Sequence, residues 1–139
     1  MKKRELVTKI MSNNLITVNL SNNLVEAEKL FKEYSIRHIP VVNGAKIIGM
    51  LSLTDLLRIS YVDSYGAGES EVDSTVYSVL TIGQVMVKDI VSVSVTHTIK
   101  EVAEILAKNE FHALPVLDQD KLVGIVTTTD LLQYLLDQY

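Results

Sequence analysis

The chain matches itself at an offset of 75 residues. Over residues 7–57 and 82–132 the match needs no gap, and eleven of the 51 pairs are identical. Met11 falls on Met86, Glu26 on Glu101, Pro40 on Pro115, Lys46 on Lys121 and Gly49 on Gly124. Thr54-Asp55-Leu56-Leu57 falls on Thr129-Asp130-Leu131-Leu132, and most other pairs exchange one apolar residue for another. A fixed period of this kind marks a duplicated supersecondary unit, so whatever one copy folds into must occur twice. With 139 residues there is room for one domain of ordinary size, made of a first repeat over 1–60 and a second over 82–139, with an inter-repeat linker over 61–81.

Each copy reads as β-α-β-β-α. The first strand is a run rich in β-branched residues, Leu15–Val18 or Ile90–Val95. A helix follows, with Leu24, Ala27, Leu30, Phe31 and Tyr34, or Ile99, Val102, Ala103 and Leu106, at helical spacing. Asn23 with Glu26, and Thr98 with Glu101, form capping-box signals three residues apart. Two apolar runs around a tight turn come next. Ile39–Val42 and Lys46–Leu51 flank Asn43-Gly44, a dipeptide suited to the positive φ angles of a type I′ turn, and Ala113–Leu117 and Leu122–Val126 flank Asp118-Gln119-Asp120. The last helix starts near Thr54 or Thr129.

A single unit of about 55 residues buries too little apolar surface to stand comfortably alone, because small folds hide a small fraction of their chain. Two joined copies solve this by packing sheet to sheet. The expected class is therefore α/β (α+β): two β-α-β-β-α repeats with pseudo-two-fold symmetry, leaving two related clefts where the copies meet.

Composition narrows the function. Cysteine is absent, which excludes disulfides, thiolate nucleophiles and Cys-type metal centres. With no tryptophan and two phenylalanines, a base-stacking surface for nucleic acid is not expected. Residues 1–60 carry nine Lys/Arg against five Asp/Glu, and residues 61–139 carry four against twelve. The resulting net charge of −4 also opposes binding to a DNA backbone, which needs clustered cations. No apolar run approaches the roughly 20 residues of a membrane span, and Met1-Lys2-Lys3-Arg4-Glu5 leads into no signal core. The expectation is a cytoplasmic protein without a membrane span. The linker holds Asp63, Glu69, Glu71 and Asp73 with no compensating base, and reads as a solvated tether, a cover for a cleft, a partner surface or a collector of a hard cation.

The arrangement resembles a tandem pair of CBS domains, often called a Bateman module, over almost all of residues 7–132. Its marks are the Met11-led and Met86-led openings and the strands Arg37-His38-Ile39-Pro40-Val41-Val42 and His112-Ala113-Leu114-Pro115-Val116-Leu117. Each copy then ends alike, in Gly49-Met50-Leu51-Ser52-Leu53-Thr54-Asp55 and Gly124-Ile125-Val126-Thr127-Thr128-Thr129-Asp130. Paired domains of this family often bind adenine nucleotides or related adenosyl ligands and control an attached or associated protein. The ligands implied are AMP, ADP, ATP or S-adenosylmethionine, with no cofactor required.

A nucleotide needs a flat apolar slot, an acceptor for ribose hydroxyls, and donors or positive charge for phosphate. Gly49 and Gly124 lack a β-carbon and permit close approach. Ser52, Thr54, Thr127 and Thr129 sit around a helix start, where hydroxyls and free amides receive an anion; Thr54 and Thr129 serve equally well as plain N-terminal caps. The resemblance implies that Asp55 and Asp130 accept hydrogen bonds from a ribose diol, and that Arg37, His38 and His112 point towards phosphate, although His112 beside Phe111 also suits packing. Ala113 stands where the first copy has His38, and Arg37 is charged at all pH, so the Arg37/His38/Asp55 cleft should prefer the more phosphorylated ligand. The resemblance further sets Met86, Ile90, Val91 and Phe111 beside Asp55, and Met11, Leu15, Ile16 and Ile36 beside Asp130, as walls for the base.

The catalytic inventory is thin. His38, His97 and His112 show no metal-ligand spacing, and neither a Gly-x-Ser-x-Gly elbow nor a P-loop is present. The expected role is a non-catalytic sensor acting in trans on a separate, unidentified protein. The alternatives are a ligand-free dimerisation scaffold and, last, an enzyme acting on a nucleotide. The family's habit of pairing into flat dimers implies a homodimer joined through the helices after Asp55 and Asp130.

Overall fold

In this computed structural model, residues 4–63 and 79–139 are described. The elements run in the order α1 (Leu24–Tyr34), β1 (His38–Asn43), β2 (Lys46–Ser52), α2 (Leu53–Asp63), α3 (Ile82–Val85), β3 (Val93–Ser94), α4 (Ile99–Lys108), β4 (Ala113–Asp118), β5 (Lys121–Thr127) and α5 (Thr128–Asp137). The class is mixed α+β, with β1-β2 in one sheet and β3-β4-β5 in the other. Of the linker, residues 64–78 lie outside the described residues; its first three residues close α2, and Thr81 caps α3.

The chain forms two compact units, Ile16–Ile90 and Met1–Leu15 with Val91–Tyr139. Their boundaries are offset from the sequence repeat: the leading segment of each copy packs in the unit built by the other copy. In the first unit the core joins Val18, Ala27, Phe31, Ile39, Val41 and Leu51 with Ile82. In the second it joins Val93, Val102, Leu106, Leu114, Val116 and Val126 with Val7. These are the same seven places 75 residues apart. Ala27 and Phe31, one helical turn apart, become Val102 and Leu106, a trade of volume that keeps the core filled.

Both predicted capping boxes form. Glu26 N–H donates to Asn23 Oδ1 (2.8 Å) and Asn23 N–H to Glu26 Oε1 (3.0 Å), and Thr98 and Glu101 repeat the exchange at 3.1 and 2.9 Å. The apolar faces of α1 and α4 bury Leu24, Ala27 and Phe31, and Ile99, Val102 and Leu106. Tyr34 leaves the predicted stripe and is exposed, because the helix ends there and Ser35 turns left-handed at φ 53°.

The hairpins pair in matching register, with a bulge between Val41 and Val42 and again between Val116 and Leu117. The turn expected at Asn43-Gly44 differs. Asn43 pairs with Lys46, so the loop is Gly44-Ala45, and only Gly44 has a positive φ, 64°. A glycine of positive φ at the first central position is the requirement of a II′ turn rather than I′. The I′ pattern occurs in the second copy instead, where Gln119 and Asp120 stand at 51° and 68°.

The first strands are shorter than their apolar runs. Val93–Ser94 pairs parallel with β4, as the crossover through α4 requires, whereas the first copy keeps a single parallel bridge from Val18 to Val41. The turn that follows is alike in both copies: Ser21 N–H donates to Asn19 Oδ1 (2.9 Å) and Asn19 N–H to Asn22 Oδ1 (2.9 Å), as Thr96 N–H does to Ser94 Oγ (3.1 Å) and Ser94 N–H to His97 Nδ1 (2.9 Å).

Candidate functional site

The two clusters of predicted ligand residues are built by the same main-chain device. Leu53 N–H donates to the Arg37 carbonyl (2.9 Å), and Thr128 N–H to the His112 carbonyl (3.0 Å). Each basic residue that leads into the Pro-containing strand is thereby tied to the first turn of the helix carrying the aspartate. Across the hairpin, His38 is the register partner of Ser52, and Ala113 of Thr127. Within the Ile16–Ile90 unit the fold therefore assembles Arg37, His38, Ser52, Thr54 and Asp55, and within the other unit His112, Thr127, Thr129 and Asp130.

Capping falls on Ser52 and Thr127, not on Thr54 and Thr129. Asp55 N–H donates to Ser52 Oγ (3.1 Å), and Asp130 N–H to Thr127 Oγ1 (3.2 Å). A hydroxyl that accepts from the backbone still has its own proton to give, so both remain anion donors. With the Leu53 and Asp55 amides engaged, the Thr54 amide is the open donor at the start of α2; Thr129 holds that place on α5. Thr54 and Thr129 are exposed, and Asp55 and Asp130 are half-buried.

The aspartates differ in what holds them. Thr127 N–H donates to Asp130 Oδ2 (2.9 Å), closing a capping box. Asp55 turns to Arg58, with Nη1 3.8 Å from Oδ1, and its side chain is 24% exposed.

The glycines before these helices permit the close approach expected of them, and the neighbour that makes it is the protein itself. A β-carbon on Gly124 would stand 3.1 Å from Met11 Cγ and 3.1 Å from the Ser12 carbonyl, and one on Gly49 would run into Met86. The methionines are held there by paired backbone bonds. Val87 and Met50 exchange N–H···O bonds of 2.9 and 3.0 Å, and Ser12 and Ile125 bonds of 2.8 and 3.0 Å. No signal of composition distinguishes a glycine that receives a ligand from one that receives a side chain.

Among the expected base-slot residues, Met86 shares the unit of Asp55, and Met11 and Leu15 share that of Asp130. Ile90, half-buried, closes the first unit, while Val91, 47% exposed, opens the returning part of the second. Ile16 is half-buried in the first unit. Ile36 and Phe111, equivalent positions, each pack against the core of their own unit. Arg58, not among the expected site residues, pairs with Asp55 and is matched by Gln133 one turn after the second aspartate.

His97 belongs to a turn, where its Nδ1 accepts from Ser94 N–H (2.9 Å). Among the described residues no group of three or more His, Asp or Glu could hold a metal ion, and no helix is long and apolar enough to cross a membrane.

The CBS domain family profile matches residues 7–61 and again 82–137. Among solved structures, the Vibrio cholerae protein AcuB superposes with a TM-score of 0.77 at 29% identity, covering 99% of this chain and 93% of its own. CBSX2, solved in complex with AMP, gives 0.78 at 24% identity over 96% and 98%. The CBS domain pair of MJ0100, solved with 5-methylthioadenosine and S-adenosyl-L-methionine, gives 0.73 at 22% over 94% and 98%. The chain spans about half the length or less of several curated relatives, including 48% of a Methanocaldococcus jannaschii protein that is 23% identical over 135 residues.

Proposed function

The chain belongs to the CBS domain family, and on that premise we propose that it is a regulatory module that senses an adenine nucleotide or related adenosyl ligand and acts in trans on a partner protein. What carries the reading is the twice-built constellation at the starts of α2 and α5. Each has an aspartate for a ribose diol, and a Ser or Thr hydroxyl with a free proton. Each also has a basic residue, Arg37 or His112, tied by its carbonyl to that helix turn. The open Thr54 amide and the dipole of α2 add donors for an anion at the first site. Relatives of the same fold bound to AMP and to S-adenosyl-L-methionine support adenosine as the common element. The ligand's binding energy would be transmitted only through its different affinity for two states of the module.

The reading is non-catalytic and cytoplasmic, and it includes a homodimer joined through the exposed sides of α2 and α5. Leu57 and Leu132, equivalent in the two copies, are 58% and 60% exposed there, and repeated exposed leucines favour a covered face. The same observation favours the second reading, a ligand-free scaffold.

Calorimetric titration with AMP, ADP, ATP and S-adenosylmethionine tests the first reading. Binding that is lost in Asp55→Ala or Asp130→Ala supports it. Silence with all four at millimolar concentration rejects it in favour of the scaffold, in which those substitutions leave self-association unchanged.

A further inference from the structure

We propose that Arg58 makes the Ile16–Ile90 unit the phosphate-selective member of the pair, and that the other unit takes an adenosyl ligand without negative charge. This rests on the ligand-sensing reading above and assigns each site its class of ligand.

A phosphate approaching the start of α2 meets the Asp55 carboxylate, which repels it. Arg58, one helical turn further on, sets its guanidinium 3.8 Å from that carboxylate and offsets the repulsion. Arg37 supplies a second permanent cation where the chain enters β1, and its carbonyl is bonded to the same helix turn. The unit thus carries one cation paired with the carboxylate and a second, Arg37, whose main chain is bonded to the same helix turn, with His38 as a further titratable group. The leading segment contributes Lys88 and Asp89, which cancel.

The matching places in the other unit are Gln133, His112, Ala113, Asn13 and Asn14. Gln133 turns away from the aspartate, and its amide donates to Asp137 Oδ1 (3.1 Å). There the Asp130 carboxylate has no permanent cation in the equivalent positions, and one of its oxygens is already committed to Thr127 N–H. A neutral or positively charged adenosyl group meets no penalty at such a site, whereas a phosphate does.

The test is titration of the full chain with AMP and with adenosine, in wild type, Arg58→Gln and Gln133→Arg. Arg58 is 71% exposed on its side chain, so the substitution should leave the thermal midpoint in place. In wild type, AMP is expected to bind one site at least about tenfold more tightly than adenosine, the scale of one charge-assisted contact. Arg58→Gln should bring the two ligands together by about that factor, with the effect shrinking as salt rises, and Gln133→Arg should create a second AMP site. An unchanged ratio of AMP to adenosine affinity in Arg58→Gln, or two equal AMP sites in wild type, overturns the proposal while leaving ligand sensing intact. Failure of wild type to bind either ligand overturns both.

Discussion

Met86 lies across Gly49 so closely that a β-carbon on the glycine would stand 2.9 Å from Met86 Cγ and nearer still to the sulfur. The glycine is required by a side chain that is 37 positions away in sequence and belongs to the other copy of the repeat. Met11 and Gly124 make the same contact in the second unit.

Gly49→Ala should therefore destabilise the protein by about 1–3 kcal/mol, as overpacking does, and should displace Met86. In a Met86→Ala background the cost should fall, because the two positions share one space. Urea denaturation of the single and double variants measures it. Equal costs in both backgrounds would show that the contact is not the reason for the glycine.

Ile82, fully buried, completes a core otherwise formed by the first copy. Ile82→Ala is expected to cost about 2–5 kcal/mol, the usual range for a cavity of that size. Val7→Ala should lower stability in the same direction through the other core. Tolerance of Ile82→Ala would mean that the exchange of leading segments carries little of the packing energy.

Two backbone positions should respond with opposite signs. Gly44 has a φ of 64° and nothing within 4 Å of where a β-carbon would be, so Gly44→Ala should cost about 1 kcal/mol through backbone strain alone. Ser35 already bears that strain at 53°, and Ser35→Gly should gain roughly 0.5 kcal/mol after the greater freedom of the unfolded chain is counted. Differential scanning calorimetry reads both shifts.

Glu101 ties the stability of α4 to pH. The Thr98 amide, and then its hydroxyl, donate to the carboxylate and hold its pKa below the ordinary 4.5. With the folded value lowered, the unfolded chain binds the proton more readily. The contribution is thus complete above pH 4.5 and disappears as the pH falls through the folded value. Glu101→Gln should flatten the fall of stability with acid in that window. An identical acid limb in denaturation titrations would remove the assignment.

Legibility followed the range of the interactions. The Asn23–Glu26 and Thr98–Glu101 boxes span three residues and were readable because both partners lie in one short window. The Arg37, Ser52 and Asp55 grouping was readable only through the resemblance, since a carbonyl bond from Arg37 to Leu53 N–H leaves no mark on either side chain. The cap stays open in the sequence, because Ser52, Thr54, Thr127 and Thr129 are all good caps and only the helix phase selects Ser52 and Thr127.

From sequence alone came the duplication, the order of strands and helices within each copy, the hairpin pairing and the residue types at the two candidate sites, all of which rest on local periodicity and near-neighbour chemistry. Periodicity and near-neighbour chemistry do not say which copy's leading segment completes which unit. The resemblance implied the exchange, with Met86 beside Asp55 and Met11 beside Asp130, and the tertiary structure shows it in the seating of Ile82 and Val7. Val7 and Ile82 are both apolar, and the backbone bonds that seat Val87 on Met50 and Ser12 on Ile125 are indifferent to side chains. A near-symmetric repeat offers either docking equally well on paper. The choice lies in how the whole chain closes over its two cores, which no local window contains.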